Sequence, residues 1–257
     1  MLFCKKKKHH DDQGRIFIGT GERGSHIDGY NRLKDNVLYM NADGKNKVIQ
    51  IESAVAAEGK TTVICNLAVS LGLTEKKVVV VDLDFRRPRV HRLFSISKDL
   101  GIAEYILGDM PKEEIIKKTK YANVDVITRG AEIHNASLVL LSEKFKALIE
   151  ELKQEYDYVL LDCAPVLQVS DYIHISKISD GVLFMVAYAM TTRTQVMEAI
   201  KELKNNGAKV LGTVFTMYDK KKDKEIGYGG GYYKYGYRYY SDTPDEEDII
   251  VNSAEEK

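Results

Sequence analysis

The sequence predicts a doubly wound α/β fold built on a mainly parallel sheet, and three observations carry that reading. Short apolar runs alternate with helical patterns along most of the chain, the signature of strands joined by crossover helices. Two of those runs, Val78–Val81 and Tyr158–Leu161, end in carboxylates, Asp82 with Asp84 and Asp162. A third, Val48–Ile51, leads through a small-residue loop into Glu58-Gly59-Lys60-Thr61-Thr62. In parallel α/β sheets ligands gather where strands end at their carboxyl termini, and all three runs deliver chemistry there.

The loop after Val48–Ile51 comes first. An apolar helical pattern follows it (Val63, Leu67, Ala68, Leu71). Strand, tight loop, Gly-Lys-Thr and helix form the context of a phosphate-binding P-loop. Backbone N–H groups from Ala57 through Thr62 curl around phosphate oxygens, and the helix N-terminus adds its positive end. Lys60 carries a full charge to the β/γ oxygens, Thr61 is placed to ligate Mg²⁺, and Thr62 is placed for the α-phosphate. The pattern departs from G-x-x-x-x-G-K-[ST] at its first position, which is Ala54. Each carboxylate-ended strand taken alone has a bland reading, an Asp capping a βα turn. Their joint occurrence in this order leaves that reading on the order of 3%.

The remaining elements follow in order. Residues 1–26 are polar, with a basic run Lys5–Lys8 and several glycines, and read as a flexible tail. From Ile27 to Met40 the apolar positions Ile27, Tyr30, Leu33, Val37 and Leu38 recur at helical spacing. Leu100–Gly108 is a short helix closed by glycine, and Pro111 opens another. Val124–Thr128 reads as a strand. One long helix runs from about Ser137 to Tyr156, with Leu141, Phe145, Leu148, Ile149 and Leu152 on one face. Val182–Ala187 is a buried strand, Thr194–Asn205 a helix, and Lys209–Thr216 the last strand. The composition then changes. Residues 227–240 hold Tyr228, Tyr232, Tyr233, Tyr235, Tyr237, Tyr239 and Tyr240, seven of the chain's 16 tyrosines, interleaved with glycine. An acidic run follows them to Lys257. Such a composition builds no packed core. The organisation expected is a tail over 1–26, one domain over 27–226, and a Tyr/Gly-rich, acidic, disordered segment over 227–257.

Composition excludes several classes. The chain has 257 residues, 44% of them hydrophobic, enough for one sizeable core. Formal net charge is zero, so no global field draws it to nucleic acid or to a membrane. Cys4, Cys65 and Cys163 are scattered and lack C-x-x-C spacing, which fits neither a disulfide framework nor a zinc site and suits a reducing cytoplasm. No apolar run approaches the roughly 18 residues of a membrane span.

On these residues the chain resembles the bacterial tyrosine kinases, cytoplasmic autokinases of capsular and exopolysaccharide systems. Ser53–Thr62 corresponds to the Walker A motif of that family, Val78–Arg86 to its Walker A′ (apolar run, D-x-D-x-R), and Val159–Pro165 to its Walker B. Tyr228–Tyr240 corresponds to its terminal tyrosine cluster. The resemblance implies a P-loop NTPase of the deviant Walker A, MinD/ParA-like type that uses ATP and Mg²⁺. It implies Lys60, Asp82, Asp84 and Arg86 as catalytic residues, with Asp82 taking the acceptor phenol's proton. It implies Thr61, Asp82 and Asp162 around the metal, and phosphorylation of the seven tail tyrosines. Its partners follow: a separate membrane adaptor of the chain-length-determinant type, a homo-oligomer through tail-in-neighbour contacts, and a cognate tyrosine phosphatase. The location implied is cytoplasmic, peripheral at the inner face of the membrane through that adaptor. Ala56 stands where the family has proline, Thr216 where it has asparagine, and Asp28, Asn31 and Lys34 where it has E-x-x-R-x-x-R. Two other readings stay open: a cell-division or chromosome-partitioning ATPase, and a nucleotide-binding scaffold whose kinase activity has decayed.

Overall fold

The structure, a computed structural model, describes residues 14–21 and 24–218. The seven tail tyrosines and the acidic run lie outside them. A seven-stranded sheet runs in the order β3-β4-β2-β5-β1-β6-β7. Its strands are β1 (Val48–Ser53), β2 (Val78–Asp82), β3 (Ile116–Lys118), β4 (Val124–Ile127), β5 (Tyr158–Asp162), β6 (Gly181–Ala187) and β7 (Val210–Thr216). All pairings are parallel except β3 with β4. The short antiparallel edge strand was not legible in the sequence, because Ile116-Lys117-Lys118 continues the charged pattern of a single-turn helix, α5 (Lys112–Ile115).

Period-2 alternation assigns the strand residues to two faces. Val78 and Val80 of β2, with Tyr158 and Leu160 of β5 and Ile49 and Ile51 of β1, pack on the side of α1 (Ser25–Met40) and α2 (Lys60–Gly72). Val79, Val81, Val159 and Leu161 point the other way. They meet α4 (Ile102–Leu107), α6 (Ala136–Leu141) and α7 (Glu143–Glu155) through Ile102, Leu140, Phe145 and Leu152. A third cluster joins Val182 and Phe184 to Ala199 and Leu203 of α9 (Arg193–Asn205). Helices therefore cover both faces, and the central strands are fully buried, as continuous apolar runs require.

Two expectations change. The helix expected over 137–156 is two helices, because Ser142 leaves helical geometry and its hydroxyl accepts from the Phe145 N–H as a new N-cap. Within the stretch read as a flexible tail, Ile16 and Ile18 are buried in the α1/α2 core. A fully buried side chain on α2, Asn66, holds them there. Its Oδ1 accepts from the N–H of Phe17 (2.7 Å) and of Ile18 (3.3 Å), and its Nδ2 donates to the carbonyl of Arg15 (2.9 Å). The two isoleucines sit among charges and glycines with no neighbouring period, so nothing in the sequence marked them.

Asn66→Ala removes the acceptor that both buried amides share, and an unsatisfied buried group costs about 1–3 kcal/mol. The expected result is a lower denaturation midpoint together with faster hydrogen exchange at Phe17 and Ile18. Exchange unchanged at those two amides contradicts this role for Asn66.

Candidate active site

Strand order and alternation build the site. β2, β5 and β1 are consecutive neighbours, and Asp82 lies directly opposite Asp162 in the β2–β5 register. Neighbouring strands are about 4.8 Å apart. Asp82 has the parity of Val78 and Val80, and Asp162 that of Tyr158 and Leu160. Both carboxylates therefore face the side from which α2 begins. The Thr61 hydroxyl, in the first turn of α2, donates to Asp162 Oδ2 at 2.7 Å. Lys60 Nζ donates to Ser53 Oγ at 2.9 Å, at the end of β1. Four expected residues, Lys60, Thr61, Asp82 and Asp162, thus come together at one edge of three strand termini.

The turn into α2 needs positive φ at its N-cap, and Gly59 supplies it at +85°. Ala57 adopts the same left-handed region at +66°, an uncommon conformation for alanine. Ala54 does not, and its methyl is buried against the α9 cluster. The departure from glycine at that position therefore strains nothing.

Glu58 does something the sequence did not suggest. Its side chain turns inward and is fully buried. One carboxylate oxygen accepts from the Val55 N–H (2.8 Å), the other from the Ala187 N–H (3.1 Å) and the Thr191 hydroxyl. Its own carbonyl accepts from the Thr216 hydroxyl at 2.8 Å. Only its backbone amide remains for a ligand, while its carboxylate pins the loop to the end of β6 and its carbonyl ties it to the end of β7. Thr216, the position where asparagine was expected, is part of that clamp.

Burial sets the electrostatics. Asp82 and Asp162 are both buried, and each has one oxygen, Oδ1, with no partner. Burial, then Asp162 and Asp84, push the Asp82 carboxyl well above the usual carboxylate range. Burial pushes Asp162 up to about 7, against the pull of Lys60 and the Thr61 hydrogen bond. Glu52, on β1, is buried with Oε2 unpartnered and is pushed up to about 8 by burial. Cys163 next to Asp162 is buried and its thiol is pushed up by burial, which fits a core residue rather than a redox switch.

Asp84 sits two residues beyond the end of β2. Its Oδ1 accepts from the N–H of Arg86 (3.2 Å) and of Arg87 (2.9 Å), shaping the loop that leaves β2. Asp82 Oδ2 accepts at 3.2 Å from the N–H of Val90, the first residue of α3 (Val90–Phe94), so the loop returns to the site. The Arg86 guanidinium pairs with buried Asp171 in α8 (Asp171–Ile175). That partner is 85 residues away in the chain and was missed by sequence reasoning. Thr62 lies at the start of α2, half-buried.

The residues fit a magnesium–nucleotide complex. Among the described residues no group of three His, Cys, Asp or Glu side chains is arranged to hold a metal alone. Magnesium is characteristically held by one or two carboxylates with phosphate oxygens and waters. Two unpartnered carboxylate oxygens beside a threonine hydroxyl and a P-loop lysine are that donor set. One surface cavity, about 460 Å³, lies elsewhere, lined by Lys77, Tyr121 and Tyr156 at the opposite ends of the strands. It brings none of these groups together.

Fold and site together define a P-loop nucleotide-binding protein. The AAA domain family model matches residues 46–212. The tyrosine-protein kinase YwqD of Bacillus subtilis (strain 168) is 28% identical over 229 residues, 89% of this chain and 97% of that protein. The tyrosine-protein kinase ptk of Acinetobacter johnsonii is 31% identical over 188 residues, 73% of this chain but only 26% of its own length. Among solved structures, the kinase domain of the Escherichia coli tyrosine kinase ETK superposes with a TM-score of 0.71 at 26% identity, covering 75% of this chain and 77% of that one. MinD from Pyrococcus horikoshii OT3, complexed with Mg-ADP, gives 0.56 at 27% identity, covering 65% and 68%. The chain belongs to the AAA domain family and, within it, to the bacterial tyrosine kinases. Among the described residues no helix is long and apolar enough to cross a membrane.

The raised carboxyls fix a sign for pH dependence. A group that binds its proton more tightly when folded contributes stability that is full below its unfolded value, near pH 4, and is lost as pH rises through its folded value. For Asp162 that window is about pH 4 to 7. The nucleotide-free protein should lose stability across it. Asp82→Asn removes one charge and lets an amide donate to Asp162, so the variant should melt higher than wild type at pH 8. The expected gain is roughly 1–3 kcal/mol, at about 2–4 °C per kcal/mol. Melting curves at pH 5 and pH 8 check both statements. A flat wild-type profile, with no gain in the variant, contradicts them.

Proposed function

We propose that this chain is an ATP-dependent protein-tyrosine kinase that phosphorylates its own C-terminal tyrosine cluster in trans, one copy acting on another. The observation that carries the reading is the convergence of Lys60, Thr61, Asp82 and Asp162 at one strand edge, in a chain that carries seven tyrosines in a glycine-rich tract over 227–240.

Phosphoryl transfer depends on positioning and charge neutralisation more than on covalent chemistry by the protein. Lys60 and the amides of residues 57–62 hold the β- and γ-phosphates, with Thr62 at the α-phosphate. Thr61, Asp82 and Asp162 hold Mg²⁺, directly or through water. Bound Mg-ATP supplies the transferable phosphoryl group and offsets its charge. As the phenolic oxygen bonds to the γ-phosphorus and the bond to the ADP oxygen breaks, Asp82 accepts the phenol's proton. Its raised proton affinity suits that role. Asp84 assists by shaping the loop, and Arg86, held by Asp171, lies beside the entering acceptor.

The partners follow the same reading. A separate membrane adaptor of the chain-length-determinant type holds the kinase at the inner face of the cell membrane, a tyrosine phosphatase resets it, and phosphorylation regulates polysaccharide synthesis and export. The self-contact is a homo-oligomer in which one copy's tail enters its neighbour's site. Each phosphate adds about −1.5 to −2 charge, so modification of the cluster repels it from the neighbour and limits assembly. A P-loop ATPase without a protein substrate is the competing reading, supported by the likeness to MinD.

The test uses radiolabelled ATP with Mg²⁺ and phosphoamino-acid analysis. Phosphotyrosine supports the kinase; free phosphate alone supports the ATPase; neither product supports a scaffold. Lys60→Met should lower autophosphorylation at least about 10²–10³-fold in a folded protein. Mixing that inactive protein, tail intact, with an active protein whose seven tail tyrosines are Phe separates trans from cis. Label on the inactive partner is expected. No label there, with wild-type labelling independent of concentration, overturns trans transfer.

A further inference from the structure

The loop that leaves β2 opens into a basin of about 340 Å³, distinct from the P-loop and lined almost entirely by cations. Its walls are Arg86, Arg87, Pro88, Arg89, His91, Arg92, Lys98 and Arg129. Of the six permanent charges, Arg86 is paired with Asp171, and Arg129 Nη1 donates to the Phe85 carbonyl at 3.0 Å. Arg87, Arg89, Arg92 and Lys98 are exposed, and among the described residues none of them is in an ion pair. Two acids of this loop are engaged elsewhere, Asp84 by the amides of Arg86 and Arg87 and Asp99 by the Ser97 hydroxyl, while Arg89 lies near enough to Asp162 to favour its ionised form. His91 registers the resulting field. Burial first, then Arg92, Lys98 and Arg129, hold its imidazole below its ordinary range. Its Nδ1 is buried with no partner.

Cations do not gather without acids for the sake of stability, because like charges at close range destabilise the fold. The basin is best explained by a polyanionic occupant, and its position says which kind. Its floor is the segment between Asp84 and Val90, and Val90 donates to Asp82, the group that receives an acceptor tyrosine's proton. A peptide whose tyrosine lies at Asp82 therefore passes within a few residues of the basin. The sequence holds such a peptide. Asp242, Asp245, Glu246, Glu247 and Asp248 begin two residues after Tyr240. An extended chain advances about 3.3–3.6 Å per residue, so a segment with this spacing could reach roughly 7–28 Å beyond a tyrosine held at Asp82. Guanidinium forks match carboxylates in geometry as well as in charge.

We propose that Arg87, Arg89, Arg92 and Lys98 form a docking subsite for the carboxylate-rich segment that follows an acceptor tyrosine, supplied by a second copy of this chain. The substrate class is then a tyrosine peptide with acids on its C-terminal side. This rests on the kinase reading for its purpose but not for its binding measurement, which involves no phosphoryl transfer.

The experiment uses the full chain with its own five acidic residues at 242, 245, 246, 247 and 248 changed to Asn or Gln, which removes self-competition. The probe is a fluorescein-labelled synthetic peptide of residues 237–250 with Phe replacing Tyr, followed by anisotropy at low and high salt. Binding is expected, weakening steeply with salt. Arg92→Glu with Lys98→Glu should weaken it at least about tenfold. Amidating the peptide acids should cost about the same, with little further loss when both changes are combined. Arg92→Gln, a milder exposed change, should give an intermediate loss, and a melting curve checks that each variant is folded.

Equal affinity for the acidic and amidated peptides overturns the proposal. So does unchanged binding by the charge-reversed protein, or charge-dependent capture of phosphatidylserine vesicles that the peptide does not displace. Phosphotransfer to the Tyr form of the peptide is read separately. Peptide binding that depends on the basin, without transfer, supports the subsite while overturning the kinase reading. Transfer with equal KM for both peptides sinks the subsite alone.

Discussion

Two carboxylates held side by side on neighbouring strands are the constraint around which this structure is arranged. Asp82 and Asp162 face the same way because alternation leaves no other choice, and they are buried because β2 and β5 are central strands. Two ionised acids at that spacing, out of water, are costly, and neither has a second hydrogen-bond partner to offset the cost. The protein relieves it in part by raised proton affinity and in part by Lys60 and Thr61 beside Asp162. A divalent cation bound there with its nucleotide, as proposed above, would relieve the rest. The same burial that raises the proton affinity of the pair is what would favour a magnesium–nucleotide complex at these oxygens.

The phosphate loop is kept ready by a different device. A loop of small residues loses much entropy on ordering, and a ligand must supply that cost unless the protein has done so already. Glu58 does so here, accepting from three donors in the loop itself and at the end of β6 while its carbonyl takes the Thr216 hydroxyl. The clamp links the loop to β7. Thr216, where the resemblance implied asparagine, therefore has a structural role in this chain.

Much of the fold was legible because its physics is local. Four valines ending in Asp-x-Asp can scarcely be other than a buried strand delivering acids to a sheet edge, and Gly59-Lys60-Thr61 after Val48–Ile51 fixes where the loop lies. Less legible was whatever depends on distant partners. Arg86 reads as a loop cation, yet it is held by Asp171, which in sequence is only the start of a weak five-residue helix. Glu58 entered the sequence reading only through its backbone amide, because nothing nearby in the chain shows the amide of Ala187 that its carboxylate binds. Ile16 and Ile18 needed Asn66, 48 residues further on, to become core. The single long helix ending at Tyr156 failed at Ser142, where a good N-cap outweighed continuous apolar spacing. The domain boundaries and the tyrosine cluster remain sequence readings, the latter outside the described residues.

If the carboxylate pair holds protons in the empty site and gives them up to a bound cation, nucleotide binding must release protons. Calorimetric titration of the full chain with Mg-ADP near pH 7, repeated in buffers of different ionisation enthalpy, measures this directly. The account predicts a binding enthalpy that changes linearly with buffer ionisation enthalpy, with a slope corresponding to about one proton released, diminishing in Asp82→Asn. An enthalpy independent of buffer, with binding intact, would contradict it.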